Sequence, residues 1–204
     1  MIGWAWEGRS TEAQVEAGWA GVMTLPRVLS LTEVGRLVSE PIPELRSLRK
    51  EHQSIPDQKL GLNQEVLLPL HGDCLEISME LEGTAYVAGL KVYCSPDQEE
   101  ETALVWDSLS GRLVIDRRKS SLSNEVVKDE RSTFLEVEHV TLRVFLDRSI
   151  LEVYANCTCM TIRVYPSRMD SQEVRLFCRQ GIVRFSCINL WRMEAVWPHN
   201  PGLV

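Results

Sequence analysis

No apolar run in the 204 residues approaches the roughly 18 that a helix needs to cross a bilayer, so no helical membrane span is expected. The opening Met1-Ile2-Gly3-Trp4-Ala5-Trp6-Glu7 lacks a basic stretch leading into an apolar one. A secretory leader is therefore not expected there, and the compartment stays open. Positive charge is also scarce: 22 Lys and Arg against 29 Asp and Glu leave a net charge of −7. A surface of that sign repels phosphate backbones, which argues against nucleic acid as a partner. The six cysteines (74, 94, 157, 159, 178 and 187) lack the paired spacing of a metal site. Cys157 and Cys159 would share one face of a strand, but Cys178 and Cys187 are too loosely spaced to complete a ligand set. Structural or free thiols are expected, with no metal and no cofactor. Asn156-Cys157-Thr158 is an N-glycosylation sequon, which matters only on a secretory route.

What the chain does have is 44% hydrophobic residues and enough length for one domain plus part of another. A chain of this size buries about 70% of its unfolded surface and needs no covalent staples. The first thirty residues concentrate Trp and Gly. Apolar stretches at 2–6 and 19–25 flank a polar connection at 7–17 and read as two neighbouring strands, or as a strand and a longer loop. Two strands lack a second layer, so residues 1–30 look like the end of something larger. Residues 31–64 carry scattered prolines and charge clusters and read as a surface-packed linker, with a short helix over Glu44–His52 started after Pro43. Leu29, Leu31, Leu37, Val38, Ile42, Leu45 and Leu48 all need cover.

From residue 65 onward the period becomes two. In 75–82, Leu75, Ile77, Met79 and Leu81 alternate with Glu76, Ser78, Glu80 and Glu82, placing the apolar set on one face and the carboxylates in water. Further runs follow at 88–94, 102–107, 112–116, 134–146, 150–156, 160–165, 173–178 and 182–193. Their separators carry turn chemistry, notably Asp147-Arg148-Ser149 and Gln180-Gly181. The run 117–132 reads as a long solvated loop, and Glu99-Glu100-Glu101 as a wet surface run. Many short half-buried strands with almost no helix between them predict an all-β fold. The expected architecture over 65–204 is an antiparallel β-sandwich of two packed sheets.

Several segments, taken in order, resemble glycoside hydrolase family 32, the invertases, inulinases and levanases. Gly18-Trp19-Ala20-Gly21-Val22-Met23-Thr24-Leu25-Pro26-Arg27 is similar to the end of that family's catalytic propeller. Gly3-Trp4-Ala5-Trp6-Glu7 is similar to the preceding strand of the last blade. Asp116-Arg117, then Leu146-Asp147-Arg148-Ser149-Ile150-Leu151-Glu152-Val153-Tyr154, Asn156 and Thr161-Ile162-Arg163-Val164-Tyr165-Pro166 resemble its sandwich signature. Leu190-Trp191-Arg192-Met193 and Trp197-Pro198 are similar to the closing strand and tail of fungal members.

The resemblance implies a five-bladed propeller joined to a C-terminal β-sandwich of jelly-roll or concanavalin type, and retaining hydrolysis of β-fructofuranosides. That chemistry uses two carboxyls about 5–5.5 Å apart. The family takes them from Asn-Asp-Pro-Asn and Glu-Cys motifs, with a stabilising Arg-Asp-Pro aspartate. This sequence contains no Asn-Asp, Arg-Asp-Pro or Glu-Cys, so no catalytic residue is assigned and no activity is expected from the 204 residues alone. The resemblance makes a catalytic propeller the partner and leaves a sugar ligand and homo-oligomerisation open. Trp4, Trp6, Glu7 and Trp19 are candidates for a pocket rim in a complete parent, with blade packing and domain-interface burial the plainer reading of the three tryptophans. Tyr86, Tyr93, Trp106, Tyr154 and Tyr165 fall within apolar runs and read as core.

Overall fold

The computed structural model describes residues 1–84, 87–135 and 139–196. Trp197-Pro198 and Tyr86 lie outside the described residues. An N-terminal arm runs through β1 (Trp4–Ala5), α1 (Thr11–Ala17), β2 (Val22–Met23), β3 (Arg27–Leu31) and β4 (Leu37–Pro41) to a 3-10 helix (Pro43–Leu48). The sandwich strands follow: β5 (Arg49–Ile55), β6 (Gln58–Leu60), β7 (Gln64–Leu67), β8 (Cys74–Gly83), β9 (Val87–Cys94), β10 (Glu101–Asp107), β11 (Arg112–Lys119) and β12 (Glu130–Phe134). The last five are β13 (His139–Asp147), β14 (Ile150–Ala155), β15 (Thr158–Arg163), β16 (Glu173–Gln180) and β17 (Val183–Met193).

All pairings are antiparallel. One sheet has the order β12-β11-β10-β9-β16-β7, and the other β15-β14-β13-β8-β17-β5, with β6 also pairing β17. The alternating pattern places the core between them. Leu75, Ile77, Met79 and Leu81 of β8 and Val144 of β13 pack within one cluster with Leu90 of β9, Trp106 of β10 and Leu176 of β16. The predicted all-β sandwich is the observed fold.

Both tight hairpins follow their turn chemistry. Arg148, between β13 and β14, has φ 54°, and Asn156, between β14 and β15, has φ 49°. Two-residue hairpin loops favour positive φ, and Asn tolerates it well. The Asn156 side chain is already engaged: Oδ1 accepts from the Thr141 N–H (2.8 Å) and Nδ2 donates to the His139 carbonyl (3.3 Å).

Several expectations are corrected. The helix over Glu44–His52 is a 3-10 turn that stops at Leu48; from Arg49 the chain becomes β5 and completes a ladder with β17. The sheet thus takes in residues of the segment read as linker. The polar connection at 7–17 holds α1, with Ser10 capping the Ala13 N–H and Gly18 closing it in the left-handed region. The loop at 117–132 is shorter, because β11 runs to Lys119 and β12 starts at Glu130. Leu29, Leu31 and Leu37 stay exposed, whereas Leu45 is buried and packs with Ile42 and Leu48. Not all carboxylates of the charged runs face water: Glu76 and Glu100 are fully buried and Glu101 nearly so. Each has cationic or hydroxyl partners that local sequence does not reveal.

Candidate functional site

The arm crosses the outer face of the β13-β14-β15 side of the sandwich, where it meets Glu152, Arg163 and Tyr165 of the family signature. Period two sends Leu142, Val144 and Leu146 of β13 into the core and Phe145 outward. Phe145 and Tyr154 make an edge-to-face pair at 6.0 Å. Leu25, Ile42, Leu45, Leu48, Cys159 and Met193 close over them as a second, smaller core. Buried charge is stapled into that face at three places.

The first staple is Glu7. Its carboxylate accepts from Arg9 Nε (3.1 Å), Arg9 Nη2 (3.0 Å), the Gly8 N–H (2.9 Å), the Gly21 N–H (2.9 Å) and the Tyr165 hydroxyl. Burial pushes the Glu7 carboxyl up. The hydrogen bonds from Arg9, Gly21, Tyr165 and Gly8 outweigh that and hold it well below the usual carboxylate range. Tyr165 is pushed up to about 12 by burial and by its bond to Glu7. The Arg9 guanidinium lies 4.1 Å from the centroid of the Trp19 ring and 4.9 Å from that of Tyr165. Behind it, buried Arg163 donates to the Ser149 carbonyl (3.0 Å) and hydroxyl (2.8 Å), and desolvation lowers its pKa. Arg117 bridges Asp129 (2.7 Å) and the Arg163 carbonyl (2.7 Å).

The second staple is Glu152, 1% exposed. It accepts from the Leu25 N–H (2.6 Å), Arg27 Nη2 (2.6 Å) and the Tyr154 hydroxyl (2.9 Å), tying the arm to β14. The third is Glu76 on β8, held by Arg49 Nε (2.7 Å) and Nη2 (2.5 Å) and by Arg143 Nε (2.6 Å). Trp191 caps Arg49 at 3.8 Å and His52 stacks on Trp191 at 4.9 Å.

Of the residues singled out by sequence, Glu7, Trp19, Arg117, Ser149, Arg163 and Tyr165 share one network, and Glu152 anchors the neighbouring one. Tyr93, Trp106 and Tyr154 are core as expected, whereas Tyr165 is half-buried with its hydroxyl on Glu7. Asp116 pairs with Arg118 (2.6 Å), away from this face, while Asp147, Arg148 and Asn156 belong to hairpin turns and Pro166 lies in the loop after β15. Trp4 is 62% exposed and lies against Gly21; Trp6 is 82% exposed. Packing within the chain therefore does not account for the Trp6 indole. The two border a cleft of about 220 Å3 that Glu7, Arg117, Asp129 and Arg131 also line. Arg9, Arg49, Arg143 and Asp129 escaped sequence reading, and Arg27 entered it only as part of a segment, since an isolated charge gives no sign of a partner far along the chain. Among the described residues, no group of three or more His, Cys, Asp or Glu could hold a metal ion, and no helix is long and apolar enough to cross a membrane.

Chemically, Glu7 and Glu152 are saturated acceptors. Their lone pairs are committed to fixed donors, which suits them to hold structure. Attack on an anomeric carbon or protonation of a leaving oxygen needs an accessible carboxyl of matched pKa.

Fold and site together define a class: a two-sheet antiparallel β-sandwich module with an N-terminal arm pinned across one sheet by buried ion pairs. The chain belongs to glycosyl hydrolase family 32, whose C-terminal domain model ("Glycosyl hydrolases family 32 C terminal") matches residues 44–192. Sucrose-6-phosphate hydrolase of Zymomonas mobilis is 30% identical over 95% of this chain and 38% of its own length. Beta-fructofuranosidase, insoluble isoenzyme 1, of Oryza sativa is 27% identical over 95% of this chain and 42% of its own. Fructan 1-exohydrolase IIa from Cichorium intybus superposes with a TM-score of 0.87 at 20% identity, over 95% of this chain and 45% of that one. The chain thus spans 38–45% of the length of these relatives.

Proposed function

We propose that these residues serve as the C-terminal sandwich module of a fructosidase-type enzyme, where the module stiffens a catalytic propeller and takes no part in the chemistry. The parent reaction in this reading is hydrolysis of β-fructofuranosidic bonds in sucrose or fructans. Residues 1–30 are then the end of the last propeller blade. Residues 31–64 are the connector, part of it absorbed into the sandwich's sheet, and residues 65–204 are the body of the sandwich. One observation carries the reading: the arm is locked to the sandwich through the Tyr165 hydroxyl on Glu7 and through Glu152 on the Leu25 N–H, yet turns Met1, Ile2, Trp4 and Trp6 to solvent. An apolar edge held so rigidly is a docking surface for more of the same fold.

The purified 204-residue chain is expected to release no fructose from sucrose or inulin; robust turnover by a pure preparation would overturn the proposal. Sequencing the transcript upstream of Met1 tests its other half, with an open frame encoding an Asn-Asp-Pro-Asn segment as the expected result. The cleft beside Trp4 and Trp6 favours a second reading, a free-standing sugar-binding or subunit-association module. That reading requires saturable fructan affinity that falls on Trp6→Ala.

A further inference from the structure

We propose that the outer edge of β3 is a self-association surface that joins two copies of the chain in a two-fold dimer, β3 against β3. The hairpin's own bonds decide which main-chain groups are available. The Thr32 N–H donates to the Arg36 carbonyl (2.9 Å) and the Ile42 N–H to the Pro26 carbonyl (3.1 Å). With Val28 opposite Glu40 and Ser30 opposite Val38, the even-numbered residues of β3 bond inward to β4. Arg27, Leu29 and Leu31 therefore turn their N–H and C=O groups to the other edge. Met1 takes those of Arg27, its carbonyl accepting from the Arg27 N–H (2.8 Å) and its amine donating to the Arg27 carbonyl (2.6 Å). Among the described residues no strand pairs with Leu29 or Leu31 on that edge, because β3 and β4 form a sheet of two.

This edge lacks the devices that keep an exposed strand from pairing. The edges of the two large sheets carry charge: Glu130 and Arg131 on β12, Glu65 on β7, Lys50 and Glu51 on β5. Val28-Leu29-Ser30-Leu31 has no charge, no proline and no bulge. Leu29, Leu31 and Leu37 share one face of the hairpin and are 42%, 69% and 58% exposed, and a two-stranded hairpin is barely stable alone in water. The segment is also complementary to itself. Laid antiparallel about Ser30, it sets Leu29 of one copy opposite Leu31 of the other and the reverse, and each such pair exchanges main-chain hydrogen bonds. The three leucines of each copy then meet in one apolar row across four strands. Met1 ends the ladder on one side. On the other, the turn closed by the Gly35 N–H on the Thr32 carbonyl (2.9 Å) leads the chain away, so Glu33 of each copy arrives beside the Met1 ammonium of the other. Two-fold pairing closes at two copies, and so short a seam makes the dimer weak and concentration-dependent.

The test is sedimentation velocity of the 204-residue chain over a concentration series, where a monomer–dimer equilibrium is expected. Leu31→Lys should weaken dimerisation by about tenfold or more, since it sets a charge in the apolar row. Leu31→Pro isolates the main chain: it removes an outward N–H while the bonds to β4 through Ser30 and Thr32 stay, so the dimer should weaken and the hairpin persist. Leu31 is exposed, so neither change threatens the sandwich. Leu62→Lys, a leucine of similar exposure (67%) between β6 and β7, should leave the equilibrium unchanged. A monomer at every concentration would overturn the proposal and give the edge to a strand of another sequence. Equal dissociation by Leu62→Lys and Leu31→Lys would also overturn it, by showing general apolar adhesion, and so would assemblies that grow beyond two copies.

Discussion

Glu76 is the residue on which sequence and structure differ most in consequence. By alternation it belongs to the wet face of β8, and so would tolerate change. In the fold it is a fully buried anion between Arg49 and Arg143. Glu76→Gln is expected to destabilise by about 3–5 kcal/mol, because it strands two guanidinium groups in a low-dielectric site. Glu80→Gln, half-exposed on the same strand, should stay within about 0.5 kcal/mol. Urea denaturation of both variants checks this, and equal effects would refute the assignment. Glu7 carries a pH dependence. Its folded pKa is depressed, so its contribution is present above the ordinary carboxylate value and is lost as pH falls below about 4.5 toward the folded value. Stability measured from pH 6 to pH 2 should therefore fall more steeply for the native chain than for Glu7→Gln, by up to about one proton's worth of slope. Parallel curves would show that the clamp contributes nothing.

At the scale of elements, the strands were legible because a half-buried sheet imposes period two, and β8 displays it without interruption. Ile77→Ala and Val164→Ala, both within the core, should each cost about 2–5 kcal/mol in the same denaturation assay. Helix α1 was missed for the opposite reason: none of its residues is buried, so only its caps, Ser10 and Gly18, mark it. The charged staples were hidden by distance. Arg27 meets Glu152 across 125 positions and Tyr165 meets Glu7 across 158, and no local pattern couples such pairs. Gly21 joins both levels: at its φ of 68° a side chain would be strained and would displace the Trp4 ring. The family's own segments singled out Glu7, Glu152, Arg163 and Tyr165, but gave no hint that they meet on one seam or of what each holds there.

For the whole molecule, the two parts differ in what secures them. The sandwich rests on one continuous apolar cluster, whereas the arm depends on ion pairs and a few apolar contacts over β13 and β14. Hydrogen exchange should therefore be ordered, with amides of residues 1–41 opening well before those of β8, β13 and β17. Simultaneous exchange of both regions would mean that arm and sandwich unfold as one unit.

Strand β17 lies between β8 and β5 although it is the last strand among the described residues. A nascent polypeptide leaving the ribosome therefore completes β5 at Ile55 and β8 at Gly83, long before Val183 opens the strand that separates them. Until then each presents an unsatisfied hydrogen-bonding edge. Biosynthesis thus closes this sheet from its middle, and the interval before β17 arrives is when the chain is most open to capture by chaperones or by its own neighbours.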